Sequence, residues 1–252
     1  KPHCCIAKKG GWIMVSRRQT FRRIVGFPIV AGISGISAGQ ARAQDNCAVF
    51  TSASQSAKTP DAVLKRLQDG NARFVAGKTV NCDLMKQVRD TATQQSPVAI
   101  VVGCIDSRVP PELVFDQRMG DMFAARVAGN FVNTDILGSL EFATKLAGAK
   151  LVVVLGHTEC GAIKGAVDNA QLGNLTALLS NIRPSLEKLN YKGVPSSKNK
   201  ALVQQLADQN AKDAADMVLK KSQVIAELVK DGKVKIVAAM HDISTGKITW
   251  LA

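Results

Sequence analysis

Tyrosine occurs once and tryptophan twice in these 252 residues, aromatic side chains make up 4% in all, and there are three histidines. So few rings offer no stacking platform for single-stranded nucleic acid, and none is interleaved with a basic stretch. Long apolar runs are missing too. Residues 24–39 come nearest, but they are 16 residues with four glycines, short of the roughly 20 apolar residues that span a bilayer, so no stable membrane span is expected. Acidic residues are absent from residues 1–43, which carry eight of the 33 lysines and arginines. Most of the net charge of +13 belongs to that segment. The other 25 basic and 20 acidic side chains leave a balance ordinary for a globular domain, and nucleic acid loses its main support as a partner.

What those 43 residues do contain is an ordered set of features. "SRRQTFRR" is basic, "IVGFPIVAGISGISAG" is apolar and small, and "ARAQ" supplies small side chains around Arg42. This is the order of a secretory signal, with cleavage expected after Ala43. Arg17 and Arg18 after Ser16 resemble a twin-arginine signal, with Thr20 departing from its pattern. The protein is therefore expected to be periplasmic or otherwise exported. The chain divides into an N-terminal extension and signal (1–43), a polar linker (44–60) and one domain (61–252).

In that domain Asp61 is placed to cap a helix with Val63, Leu64, Leu67, Phe74 and Val75 on its buried face; Gly70 and Asn71 could divide it in two. Val98–Val102, Lys150–Leu155 and Lys235–Ala239 are apolar without alternation, as in strands buried on both faces of a parallel sheet. Ile136, Leu140, Ala143 and Ala147 predict a crossover helix over 135–147 that ends at Gly148. A lysine-rich helical region covers about 200–230, and "VAAMHDISTGKITWL" reads as a terminal hairpin. The fold class is α/β, a mainly parallel sheet flanked by helices with an antiparallel C-terminal edge strand.

Two of the predicted strands end in reactive side chains. The first runs into "GCIDSRVPPE", with Cys104, Asp106 and Arg108 in C-x-D-x-R spacing; the second runs into "GHTECG", with His157 and Cys160. Ligands of open parallel sheets collect at the carboxyl ends of strands, so the two motifs can converge. Two thiolates, an imidazole and a fourth oxygen position suit a tetrahedral Zn²⁺ ion with one exchangeable site. Cys160 would lie in the first turn of the next helix, whose positive end favours a thiolate. A structural zinc site, or a thiol nucleophile (Cys160 or Cys104) activated by His157, also fits these residues. Cys47 and Cys82 stand outside both motifs. An exported protein could pair them, but one lies near a terminus, and they are read as unpaired.

"CIDSRV", "GDMFAARVAGN", "GSLEFA" and "GHTECGAIKGAV", with "LQDGNARFVAG" upstream and "GKVKIVAAMHDISTGKI" downstream, resemble the β-class carbonic anhydrases over roughly residues 61–252. The resemblance implies one Zn²⁺ per subunit held by Cys104, His157 and Cys160, with Asp106 either filling the fourth position or leaving it to water. It implies reversible hydration of CO2 to bicarbonate and a proton by a zinc-bound hydroxide, CO2 and bicarbonate being the small-molecule partners. Arg108 would draw Asp106 off the metal through a bidentate pair. Two thiolates lower the acidity of the bound water relative to a three-histidine site, so activity should favour alkaline pH.

The same resemblance implies a homodimer or a tetramer of dimers, with a pocket made partly by a neighbouring subunit. Gln95 would donate to a substrate oxygen, Phe123 and Phe142 would line the CO2 cleft, and Gly161 would present a backbone N–H beside the metal. Val101 stands where a bicarbonate-inhibited subset of the family has tryptophan, which points to the readily activated subset. No proton shuttle is evident, His241 being only a distant candidate. The alternatives are a zinc hydrolase of a linear CO2 analogue such as carbon disulfide, and a non-catalytic zinc-binding scaffold.

Overall fold

A computed structural model describes residues 47–251. The signal read at residues 1–43 lies outside them. Three helices come first: α1 (Ser52–Ser56), α2 (Pro60–Val75) and α3 (Leu84–Thr91). Then follow β1 (Ala99–Gly103), α4 (Pro111–Val114), β2 (Met122–Arg126) and α5 (Thr134–Glu141), which continues as a π-helical turn over Phe142–Leu146. The remainder is β3 (Leu151–His157), α6 (Gly161–Val167), α7 (Gly173–Ser180), α8 (Arg183–Lys188), α9 (Lys200–Lys221), α10 (Gln223–Lys230), β4 (Lys235–His241) and β5 (Ile248–Leu251).

Among the described residues the strands form one sheet in the order β2-β1-β3-β4-β5, parallel except for the antiparallel β4–β5 edge. β1 and β3 are buried throughout because each of their faces meets a separate apolar layer. Ala99, Val101, Val153 and Leu155 pack with Val63 and Leu67 of α2 and with Phe115; Ile100, Val102, Val152 and Val154 pack with α5, α9 and α10. Unbroken apolar runs are what such two-sided burial demands.

Several expectations need correction. Thr59, not Asp61, caps α2: its side chain accepts from the Ala62 N–H, and Pro60 fills the first helical position, leaving Asp61 in the first turn. Gly70 does not divide the helix. It marks a close approach, since a Cβ there would come within 1.8 Å of the Phe115 carbonyl oxygen. Val75 is exposed rather than core. β2 carries no strong strand pattern because its residues are mostly half-exposed at a sheet edge. The predicted 135–147 helix becomes α-helix followed by a π turn, a local widening that an i, i+3, i+4 pattern does not register.

Cys47 and Cys82 are paired, against expectation: the S–S distance is 2.01 Å and the Cα atoms lie 5.6 Å apart. Residues 47–57 do not trail away as a linker. Gln87 of α3 donates to the Cys47 carbonyl at 2.9 Å, which brings that cysteine back to the loop before α3.

Candidate metal centre

Gly103 and Leu155 are register partners at the ends of two adjacent parallel strands, so the residues that follow emerge at one sheet edge. Cys104 follows β1, His157 closes β3, and Cys160 is the residue before α6. Their ligand atoms lie within 4.8 Å of one another, and all three residues are buried. The two sulfurs are 4.0 Å apart. Tetrahedral bonds of about 2.3 Å to zinc would put them at about 3.8 Å, so the donor set fits that ion nearly as it stands. Ile163, Leu179, Ile182, Leu206 and Met240 close the floor beneath the two cysteines.

The imidazole is already oriented. His157 Nδ1 lies 2.9 Å from the carbonyl of Thr158, which assigns the N–H to that nitrogen and leaves a lone pair on Nε2. Nε2 is buried and has no hydrogen-bond partner among the described residues. A buried nitrogen facing two thiols and bonded to nothing is the condition a metal ion relieves. The hydrogen bond from Cys160 holds the Cys104 thiol well below its ordinary range against the cost of burial, and the Gly129 N–H, 3.4 Å from its sulfur, adds to the effect. The same sharing and the burial push the Cys160 thiol up, opposed by the amides of Ile163 and Ala162 at the start of α6. A divalent cation bound between the two sulfurs would displace their protons.

Asp106 stands at the rim, held by Arg108. The guanidinium donates from Nε to Oδ1 at 2.9 Å and from Nη2 to Oδ2 at 2.7 Å, and the Arg108 backbone N–H donates to Oδ1 at 3.0 Å. These bonds hold the Asp106 carboxyl well below the usual carboxylate range, with burial opposing. Oδ2 is 3.9 Å from His157 Nε2, beside the ligand set yet committed to Arg108.

A family model described as carbonic anhydrase matches residues 99–248, more than half of the chain and both motifs. Among solved structures, the β-carbonic anhydrase CafA of Aspergillus fumigatus superposes with a TM-score of 0.60 at 27% identity, covering 76% of this chain and 89% of its own. The chain belongs to the β-carbonic anhydrase family. Carbonic anhydrases of Mycolicibacterium smegmatis and Mycobacterium tuberculosis are 34% and 31% identical over 195 and 194 residues, covering 75% of this chain in each case and 92% and 91% of their own lengths. A β-carbonic anhydrase from Sordaria macrospora, one of two described as tetrameric, shares the fold, with a TM-score of 0.57 at 24% identity over 76% of this chain and 98% of its own.

Within this family framework the sequence-predicted residues divide into two groups. Cys104, Asp106, Arg108, His157 and Cys160 come together, and Gly161 begins α6 directly behind Cys160. Gln95 does not join them: it is exposed and precedes β1, whereas Cys104 follows it, so the length of the strand separates the two. Phe123 and Phe142 meet edge to face, with ring centroids 6.2 Å apart. They line a groove of about 660 Å³ along β2 and α5 that includes none of the cysteines or His157.

Two supports of the site were not assigned a role from sequence. Arg126, at the end of β2, donates to the carbonyls of Cys104 at 2.8 Å and Asp106 at 2.6 Å and so fixes the C-x-D backbone. Gly129, at φ +82°, aims its N–H at Cys104, and a Cβ there would come within 2.5 Å of Ile182. Both lie in "AARVAGN", where the only signal was the family resemblance. His241 is not distant: it is the register partner of His157, buried, with neither ring nitrogen hydrogen-bonded among the described residues, and burial pushes its pKa below the ordinary value.

Proposed function

We propose that this protein catalyses the reversible hydration of CO2 to bicarbonate and a proton, with one Zn²⁺ per subunit held by Cys104, His157 and Cys160. The observation that carries the reading is the convergence of two thiols on the unpartnered, buried Nε2 of His157, beside an Asp106–Arg108 pair. Bound there, zinc supplies the Lewis acidity that makes water a nucleophile near neutral pH. Arg108 keeps Asp106 ionised and turned aside from the three ligands. Asp106 then has lone pairs left to accept a hydrogen bond from the reacting water and orient it. Gly161 offers a backbone N–H on the same side for a substrate oxygen.

The protein acts in this reading as a homodimer or a tetramer of dimers, in which Gln95, Phe123 and Phe142 serve the site of a neighbouring copy. Their separation from their own subunit's ligands supports that assignment. Export through residues 1–43 is part of the same proposal. The Cys47–Cys82 disulfide supports it, since such bonds persist in oxidising compartments.

Stopped-flow CO2 hydration on zinc-loaded protein, with Asp106→Asn beside it, tests the proposal. Hydration is expected to rise toward alkaline pH and to fall about 10²-fold or more in the variant while zinc is retained. Protein that carries stoichiometric zinc and is inactive at alkaline pH would reduce the site to a zinc-binding scaffold.

A further inference from the structure

The proposed pocket draws on residues at the opposite end of the sheet from the metal ligands, and one stretch of chain touches both the segment that carries Gln95 and the turn that begins at Phe142. Residues 47–57 form a strap there. Cys47 is bonded to Cys82, and the Phe50 ring lies 5.0 Å from the Arg66 guanidinium. Thr51 opens α1 with reciprocal side-chain and backbone hydrogen bonds to Ser54, which give that five-residue helix a fixed start.

From α1 the strap makes contacts to two separate segments. Ser52 accepts a hydrogen bond from Gln94, the neighbour of Gln95. Gln55, 7% exposed, donates from Nε2 to the Pro97 carbonyl at 2.6 Å and to the Ala147 carbonyl at 2.7 Å. Pro97 lies two residues past Gln95. Ala147 ends the π turn that begins at Phe142, and its own N–H donates to the Phe142 carbonyl at 2.9 Å. One side-chain amide, using both of its hydrogens, thus ties the Gln95 segment to the Phe142 turn across the amino-terminal ends of β1 and β3.

We infer that Gln55 is a positioning residue that sets Gln95 and Phe142 relative to each other, and that the Cys47–Cys82 bond fastens the strap that carries it. This deepens the proposed function and rests on its reading of Gln95 and Phe142 as pocket residues. Both partners of Gln55 are carbonyls, so the role requires two donors. A methionine fills the same space and supplies none, while a glutamate would set a carboxylate against two carbonyls.

The test compares zinc-loaded full-length wild type with Gln55→Met, with Cys47→Ser/Cys82→Ser and with Gln95→Leu. The readouts are hydrogen exchange by mass spectrometry, zinc per chain, and kcat and KM for CO2. In Gln55→Met, exchange should quicken about tenfold or more over residues 94–97 and 142–149 together, while the 155–161 segment keeps its wild-type rate. KM should rise about threefold or more with kcat and zinc content little changed, the signature of a lost binding contact. The double serine variant should loosen the same two segments to a smaller extent, and it carries the test if Gln55→Met does not fold.

Wild-type exchange in both segments of Gln55→Met, or loosening of one without the other, would overturn the inference. Gln95→Leu keeps the underlying reading separate. If its KM is that of wild type while Gln55→Met loosens both segments, the strap stands and Gln95 is removed from the pocket.

Discussion

Replacing Cys47 and Cys82 together by serine removes one covalent link and little packing, so its effect on stability follows from chain statistics. The two cysteines are 35 residues apart in sequence, and the loop they close contains all of α2, whose Val63 and Leu67 are fully buried in the core. Closing a loop of that length lowers the entropy of the unfolded chain by an amount worth about 4 kcal/mol at room temperature. The hydrogen bond from Gln87 to the Cys47 carbonyl and the Phe50–Arg66 contact survive the substitution, so the native state loses little else. For a folded unit of this size each kcal/mol moves the melting temperature by roughly 2–4 °C, which puts the expected fall at roughly 8–16 °C. Calorimetry and urea unfolding of the zinc-loaded proteins would measure it, after peptide mapping has identified the Cys47–Cys82 link in wild type. Cys47→Ser alone should lose nearly as much as the double variant, because either change opens the loop. A loss below about 1 kcal/mol in both would refute the reasoning and place the stabilisation in the surviving contacts instead.

Other expectations follow from the site and the core. Cys160→Ser should abolish stoichiometric zinc binding, read by elemental analysis after dialysis, whereas Cys47→Ser should retain it; equal retention in both would dissolve the ligand assignment. Asp106 has its folded pKa lowered, chiefly by Arg108, so the stability its pair contributes is complete above the ordinary carboxylate range and is lost only as pH falls through the lowered value. Zinc should therefore leave the protein on acidification, as protons compete for thiolate and imidazole, before Asp106 titrates. A chromophoric chelator read against the carboxylate carbon-13 shift of Asp106 would show the order, and the reverse order would contradict the pairing. Gly70→Ala should destabilise by about 1–3 kcal/mol or more in thermal unfolding, because the new methyl meets the Phe115 carbonyl; an unchanged melting temperature would mean that α2 can shift away at no cost.

Local chemistry alone determines much of this protein. The runs Val98–Val102 and Lys150–Leu155 announce β1 and β3, which are covered on both faces, because apolar sequence without alternation suits such burial; Lys235–Ala239, read the same way, announces β4, but that strand is exposed at Lys235 and half-buried at Ile236 and Val237. The C-x-D-x-R and H-x-x-C spacings were equally legible, since each motif is short and its members are placed by one strand end. A parallel sheet brings strand ends to one edge, and that made their convergence predictable.

Only the tertiary structure decided what depends on distant partners. Cys47 and Cys82 look independent in sequence, and they pair because Cys47 is brought against α3, where Gln87 holds its carbonyl. β2 has no strong pattern because it lies at an edge. Gly70 is required by the Phe115 carbonyl, 45 positions away, and not by anything in its own helix. Arg126 and the Thr158 carbonyl hold Cys104 and His157 through backbone atoms, which no side-chain motif encodes. Sequence names the donor set through residue type and spacing, whereas a hydrogen bond's partner or a Cβ's room is set by which remote segments pack together, and the folded chain alone supplies that.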